Sequence, residues 1–179
     1  MEITNIIKIK TRKEWREWLF KNSKSETFCW VEVNRKKSGD GLAYLDAVEE
    51  ALCFGWIDST VKNGYQRFSK RTKNSNWTEL NKIRVERLEK LGLMTDDGLS
   101  CVPKKSFEIH KEVLNAIKED QKTYENFLKL PKSYIRIKID NIQSHIKTDP
   151  KIYESRLQKF LENTKLKMLY GQWNYGGRL

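Results

Sequence analysis

The sequence contains no apolar run near the roughly 20 residues that a membrane-spanning helix needs. Its first residues, MEITNIIKIKTRKEW, have only a short apolar patch followed at once by charges, which is not the pattern of a secretory signal peptide. We therefore expect a cytoplasmic protein that does not insert into membranes.

Cysteine and histidine are also scarce. The three cysteines, Cys29, Cys53 and Cys101, lie far apart, and their odd number does not fit a disulfide framework. Neither they nor the two histidines, His110 and His145, have the spacing of metal ligands. A glycine-rich phosphate loop is absent from the sequence as well. We expect no metal and no cofactor, and we expect Cys53, inside an apolar stretch, to be a buried thiol.

Hydrophobic residues make up only 38% of the chain, but six Trp, seven Tyr and seven Phe can bury a large apolar area. A folded core is therefore expected. Lys and Arg outnumber Asp and Glu by 35 to 24, a net charge of +11. Such an excess favours acidic or polyanionic partners, although a solvated basic surface would show the same composition.

Local signals predict the first elements of secondary structure. Thr11-Arg12-Lys13-Glu14 has the pattern of a capping box, which predicts a helix that ends near residues 22–25. Residues 27–35, TFCWVEVNR, predict a strand that leads into a basic glycine-containing loop, RKKSGDG. Residues 44–54 predict a short helix ended by Gly55.

Two strand-like runs, WIDSTVK and YQRFSKR, flank Asn63-Gly64, which is a strong signal for a two-residue hairpin turn. Helices are expected over residues 77–91, from Thr95, and over 106–129, 132–145 and 150–165, with a loosely held tail GQWNYGGRL. The expected fold class is α+β. Residues 1–100 form a small antiparallel sheet packed with helices, and residues 101–179 form a helical C-terminal module.

A two-residue turn predicts the register of the hairpin. The expected pairs are Lys62 with Tyr65, Thr60 with Arg67, Asp58 with Ser69 and Trp56 with Arg71, all on one face of the sheet. The other face receives Ile57, Val61 and Phe68, which we expect to pack on the helix over residues 44–54.

The first of these faces is the candidate binding site. Asp58 would lie diagonally from two arginines whose planar groups suit carboxylate or phosphate, and the aromatic rings offer stacking surfaces. The alternatives are a solvated face with exposed ion pairs and a catalytic site. The candidate ligand-binding residues are Trp56, Asp58, Lys62, Tyr65, Arg67, Arg71 and Trp77.

Residues 47–59, AVEEALCFGWIDS, resemble the hallmark of the YdeI/OmpD-associated family, also called bacteriocin-protection proteins. The resemblance extends over residues 11–99 and includes Trp15, Trp30, Arg71 and Trp77. It fades beyond residue 100, and Lys70 stands where the family usually has proline. The resemblance implies a cytoplasmic bacterial protein with an α+β front and a helical back, linked by name to resistance against antimicrobial peptides and to envelope stress. It implies no established reaction.

No residue is assigned a catalytic role. Glu49 and Glu50 point about 100° apart on a helix, so they cannot flank one bond, and we expect them on a solvated helix face. We expect a non-catalytic binding module for a small anionic or acidic ligand, or for an acidic protein segment. The alternative is a nucleic-acid-associated protein, since KNGYQRFSKRTKNSNW combines basic and aromatic residues without an acid.

Overall fold

A computed structural model describes residues 2–36 and 40–179. Residues 37–39, which belong to the loop predicted after the first long strand, lie outside the described residues. The described part contains four strands, β1 (Ile6–Ile7), β2 (Phe28–Glu32), β3 (Trp56–Lys62) and β4 (Tyr65–Lys70). It also contains eight helices, α1 (Arg12–Asn22), α2 (Tyr44–Cys53), α3 (Glu79–Lys90), α4 (Asp96–Ser100), α5 (Lys111–Lys118), α6 (Gln121–Phe127), α7 (Lys132–Gln143) and α8 (Pro150–Lys165).

The predicted α+β class with a helical C-terminal part is confirmed. Within the described residues, no helix has the length and apolar character needed to span a membrane. The chain divides into two compact units. The first comprises residues up to Trp77 together with Arg84–Pro103, and the second comprises Thr78–Ile83 and Lys104–Leu179, so that α3 is divided between them.

The sheet of the first unit has the strand order β1-β2-β4-β3. Strands β2 and β4 pair antiparallel, as do β3 and β4, whereas β1 and β2 pair parallel, so the sheet is mixed rather than purely antiparallel. The predicted turn joins β3 to β4, and both of its residues have positive φ, 49° at Asn63 and 82° at Gly64. This combination is the one that a type I′ hairpin turn requires.

Helices α1 and α2 cover one face of this sheet. The capping box at the start of α1 is present, because the Thr11 hydroxyl accepts from the Glu14 backbone and the Glu14 carboxylate accepts from the Thr11 backbone. The core beneath the helices includes alternate residues of β2, namely Cys29 and Val31, as the strand pattern predicts. Its largest members are Trp15, Trp56 and Phe68, all fully buried.

The hairpin register differs from the prediction beyond its first two pairs. Lys62 pairs with Tyr65 and Val61 with Gln66, but a β-bulge follows, and Asp58 then pairs with Phe68 instead of Ser69. Trp56 consequently pairs with Lys70 rather than with Arg71. A shift of one residue turns every later side chain to the opposite face.

The bulge has a packing explanation. In the predicted register Trp56 would lie on the face opposite to Phe68, and one of the two rings would stay outside the core. With the bulge, both rings are buried on the helix-covered face. The prediction that Val61 packs beneath a helix is wrong, since 51% of this residue is exposed. Ile57, half-buried, is also outside the helix-covered core.

The expected solvated position of Glu49 and Glu50 is also wrong, because each is only 2% exposed. Glu50 accepts from Nε of Arg12 and Nη1 of Arg16, each at 2.6 Å, and Glu49 accepts from Nη2 of Arg87 at 2.5 Å. The carboxylates are buried in ion pairs with arginines of α1 and α3. They therefore hold the helices of the first unit together.

The second unit is helical, as predicted, but its first helix is shorter and is interrupted. Instead of one helix over 106–129, the chain forms α5 and α6, because Asp120 is extended and caps α6 by accepting from the Thr123 backbone at 2.8 Å. The start of the predicted tail is held against the core: the ring of Trp173 packs edge-on against Tyr134 at 5.5 Å, and so does the ring of Tyr170, just before the tail, at 6.3 Å. The buried core of this unit consists of Val113, Ile117, Phe127, Tyr134, Ile139, Ile142 and Phe160.

Candidate anion-binding site

The bulge removes two of the predicted site residues from the proposed wall. Trp56 is fully buried, its Nε1 donates to the Ser23 carbonyl at 3.3 Å, and its ring meets that of Trp18 at 5.8 Å. Asp58 accepts a hydrogen bond of 2.7 Å from the Tyr44 hydroxyl at the start of α2. Both side chains belong to the helix-covered side of the sheet, so they do not share a face with Arg67.

Burial and the bond to Asp58 raise the pKa of Tyr44 to about 12. The guanidinium of Arg35 stacks on the Tyr44 ring, with 3.9 Å between Cζ and the ring centroid. Asp58 is thus hydrogen-bonded to a neutral phenol, and this bond links α2 to β3. It is not the acidic member of an arginine pair.

Lys62 and Tyr65 form the first pair after the turn, as predicted. Lys62 is exposed and Tyr65 is half-buried. Their position beside the hairpin turn puts them at the far end of β4 from Arg71. The pair therefore does not join the arrangement around Arg71.

Arg67 lies in the middle of β4, directly opposite Trp30 of β2. Its guanidinium lies 4.7 Å from the centroid of the Phe28 ring, and Nη1 has a long contact of 3.5 Å with the Ser59 hydroxyl at the bulge. Nε of Arg67 and Nε1 of the fully buried Trp30 have no hydrogen-bond acceptor among the described residues. Two residues that pair across these strands therefore each have a buried donor without an acceptor among the described residues.

Arg71 follows β4 directly, and its backbone N–H donates to the Gly55 carbonyl at 2.9 Å. The side chain is only 8% exposed, and its guanidinium stacks on the ring of Trp77 with 3.8 Å between Cζ and the ring centroid. Nη1 donates to the Asn76 carbonyl at 3.0 Å. Arg71 and Trp77, both predicted site residues, are thus brought together.

Arg71 forms no ion pair among the residues that the structure describes. Within residues 2–36 and 40–179, no carboxylate lies within 4.0 Å of its guanidinium, and Nε and Nη2 are buried without an acceptor. Burial lowers the pKa of Arg71 to about 10, an effect that Cys101 and Asp58 offset only in part. The side chain nevertheless remains charged at neutral pH.

Such an arrangement is costly in a protein interior. A buried donor without an acceptor costs about 1–3 kcal/mol, and a charged one costs more. Other partly buried guanidinium groups of the first unit form ion pairs with the carboxylates of Glu49 and Glu50. Arg71 differs from them because, among the described residues, it has no carboxylate partner; a carboxylate or phosphate oxygen would accept from its Nε and Nη2.

The cysteines of β2 and α2 are unsuited to nucleophilic chemistry at neutral pH. Burial raises the pKa of Cys29 to about 12 and that of Cys53 to about 11, so both thiols stay protonated at neutral pH, and the prediction that Cys53 is buried is confirmed. In the described part of the chain, no group of three or more His, Cys, Asp or Glu side chains is arranged to hold a metal ion. The geometry around Arg71 suits binding.

The sequence analysis missed the aromatic residues of β2, Phe28 and Trp30, as neighbours of Arg67. Side chains alternate along a strand, so Phe28 and Trp30 lie on the face opposite to the core residues Cys29 and Val31. What the sequence did not reveal was that β2 pairs with β4, which requires the tertiary fold.

Comparison with known proteins identifies the front part of the chain only at the level of a family. No curated protein and no solved structure matches the chain significantly. The profile of a domain of unknown function, DUF8412, matches residues 7–101, which is more than half of the 179 residues. The chain therefore belongs to the DUF8412 family.

Proposed function

We propose that the first unit is a non-catalytic binding module for a small anionic or acidic ligand, held by Arg71 on the ring of Trp77. The observation that supports this most directly is the buried guanidinium with two nitrogen atoms that lack an acceptor. A carboxylate or phosphate oxygen would accept from both, because the guanidinium presents its N–H groups in one plane. The contact with Trp77 keeps that plane in place.

Direct binding tests the proposal. We expect citrate to bind the wild-type protein in isothermal titration calorimetry, and we expect Arg71→Lys to weaken binding at least tenfold, because one ammonium cannot replace a planar fork. Lys73→Met is the matched control, since Lys73 is an exposed cation only two residues further on. Equal affinities of the two variants would contradict the proposal.

Salt dependence separates this function from the nucleic-acid alternative. Binding to a phosphate backbone releases counterions and loses orders of magnitude in affinity between about 50 and 200 mM salt. The basic segment that suggested nucleic acid contains Arg67 and Arg71, but both guanidinium groups are engaged with aromatic rings of the protein. A small ligand at Arg71 should show a weaker salt dependence.

The resemblance to the YdeI/OmpD-associated family extends the proposal to a biological setting. On this proposal the protein acts in the bacterial cytoplasm, in resistance to antimicrobial peptides or in envelope stress. The test is survival of a bacterial strain that expresses either the wild-type chain or Arg71→Met during challenge with a cationic antimicrobial peptide. Equal protection by both chains would mean that the protective role does not depend on the Arg71 site.

A further inference from the structure

Three cationic side chains surround Tyr170 in the second unit. Nζ of Lys138, on α7, lies 4.0 Å from the centroid of the Tyr170 ring, and Nζ of Lys159, on α8, lies 5.3 Å from it. Arg156, one turn before Lys159, donates to the Asn141 carbonyl at 2.9 Å, and its charge acts on the Tyr170 phenol. Two helices thus bring positive charge to the ring of Tyr170.

The three cations form no ion pair in the part of the chain that the structure describes. Among the residues that the structure describes, no carboxylate lies within 4.0 Å of Lys138, Arg156 or Lys159. Burial and the charge of Lys159 both lower the pKa of Lys138. The aromatic rings offset the repulsion between the ammonium groups only in part, since a cation–π contact contributes about 0.5–2 kcal/mol.

The tail runs close to the Lys138 ammonium group. Gly171 has φ of 69°, and a Cβ atom at this position would lie 3.0 Å from Nζ of Lys138. The preceding residue is held in place, because the Tyr170 N–H contacts the Tyr134 hydroxyl at 3.4 Å. A side chain at position 171 would therefore press on the ammonium group.

We propose that Lys138 and Lys159, beside Tyr170, form a phosphate-binding site that is independent of the site at Arg71. A phosphate group carries a charge of about −1.5 to −2 and three acceptor oxygens, which matches two ammonium groups better than a single carboxylate does. Arg156 adds a third positive charge nearby. The net charge of residues 101–179, with 16 Lys or Arg and 9 Asp or Glu, also favours a multiply charged anion.

Calorimetric titration with inorganic phosphate at constant ionic strength tests this site. We expect saturable binding to the wild-type protein and at least roughly tenfold weaker binding for Lys138→Met and for Lys159→Met, since each variant removes a charged hydrogen-bond donor. Lys165→Met is the control, because Lys165 lies on the same helix but pairs with Asp120 at 3.0 Å. Lys159 is exposed, so its variant leaves the fold intact.

The source of the phosphate follows from competition with a single-stranded oligonucleotide. Displacement of inorganic phosphate by the oligonucleotide would mean that the site takes the phosphate of a nucleic acid, and failure to displace it would mean a small phosphate compound. Both outcomes support a phosphate site. Absence of saturable binding, or an effect of the two lysine variants no larger than that of Lys165→Met, would overturn it. Because the proposed site at Arg71 also accepts phosphate oxygens, the lysine variants are compared in an Arg71→Met background. Saturable phosphate binding that persists in Arg71→Met and is lost when Lys138→Met is added separates this site from the proposed function.

Discussion

Replacement of Arg71 by methionine separates packing from anion binding at the proposed site. Methionine keeps an unbranched apolar stem but removes the bond from Nη1 to the Asn76 carbonyl and the stacking on Trp77. It also removes Nε and Nη2, the two buried nitrogen atoms without an acceptor in the described structure. Losses and gains therefore oppose each other in the ligand-free protein.

The free energy lost with these contacts and the free energy regained by removing unsatisfied donors nearly cancel. A hydrogen bond from a charged donor contributes about 1.5–3 kcal/mol, and a desolvated cation–π contact contributes about 2 kcal/mol. Removal of two unsatisfied donors returns about 1–3 kcal/mol each. We expect the free energy of unfolding of ligand-free Arg71→Met to stay within about 2 kcal/mol of the wild type. Breaking a compensated buried ion pair would instead cost about 3–5 kcal/mol.

The ligand-bound protein should behave differently. An anion at 100 times its dissociation constant stabilises the folded state by about 2.7 kcal/mol, which corresponds to roughly 5–10 °C in Tm for a chain of this size. Thermal unfolding in citrate, compared with chloride at matched ionic strength, measures this shift. We expect it in the wild type and in Lys73→Met, whereas Arg71→Met should show only the general effect of the salt.

Two results would refute the argument. Equal citrate shifts in Arg71→Met and Lys73→Met would mean that the anion binds elsewhere or not at all. A loss of more than about 4 kcal/mol in ligand-free Arg71→Met, combined with no citrate shift in the wild type, would identify Arg71 as a purely structural residue.

Three further measurements test other parts of the structure. Glu50→Gln should lower the free energy of unfolding in urea by about 3–5 kcal/mol, because it breaks a buried ion pair, whereas Glu89→Gln on the exposed surface of α3 should change it by less than about 0.5 kcal/mol. Cys29 and Cys53 should react with a thiol reagent only at the rate of unfolding, because burial keeps both protonated; rapid modification of either in the native protein would contradict their placement. Hydrogen bonds lower the pKa of the Asp120 carboxyl group to about 2. The carboxylate therefore stabilises the fold fully above about pH 4, the ordinary pKa of an Asp side chain, and this stabilisation is lost as the pH falls through 2. The difference in urea midpoint between Asp120→Asn and the wild type should therefore shrink between pH 5 and pH 2.

Signals that act within a few residues were sufficient to locate most elements of the first unit. The capping box starts α1 where Thr11 predicts it, and the side chain of Thr95 caps α4 by accepting from the Gly98 backbone. Asn63-Gly64 forms the hairpin turn, because these two residues tolerate positive φ. Each of these features depends on neighbours in the chain, so no knowledge of the fold was needed.

The candidate site was only partly predictable for the same reason. The turn determines the pairing of Lys62 with Tyr65, but the pairing of Trp56 depends on which rings the core must bury. Burying Trp56 together with Phe68 stabilises the fold more than an uninterrupted pattern of strand hydrogen bonds would. The resulting bulge places Asp58 on the opposite face of the sheet from Arg67. The interaction of Arg71 with Trp77 was within reach of the sequence, since only a short loop separates the two residues.

Charged residues show the same division between local and tertiary information. Glu49 and Glu50 lie on a helix as predicted, but their burial depends on arginines of two other helices. For Glu49 these are Arg12 and Arg87, which lie 37 and 38 residues away in the chain. The sequence by itself thus determined the fold class, the main turns and caps, and the basic and aromatic character of the chain. Only the tertiary structure decided which charges are paired and which are left without a partner, because that depends on burial by residues that are distant in the sequence.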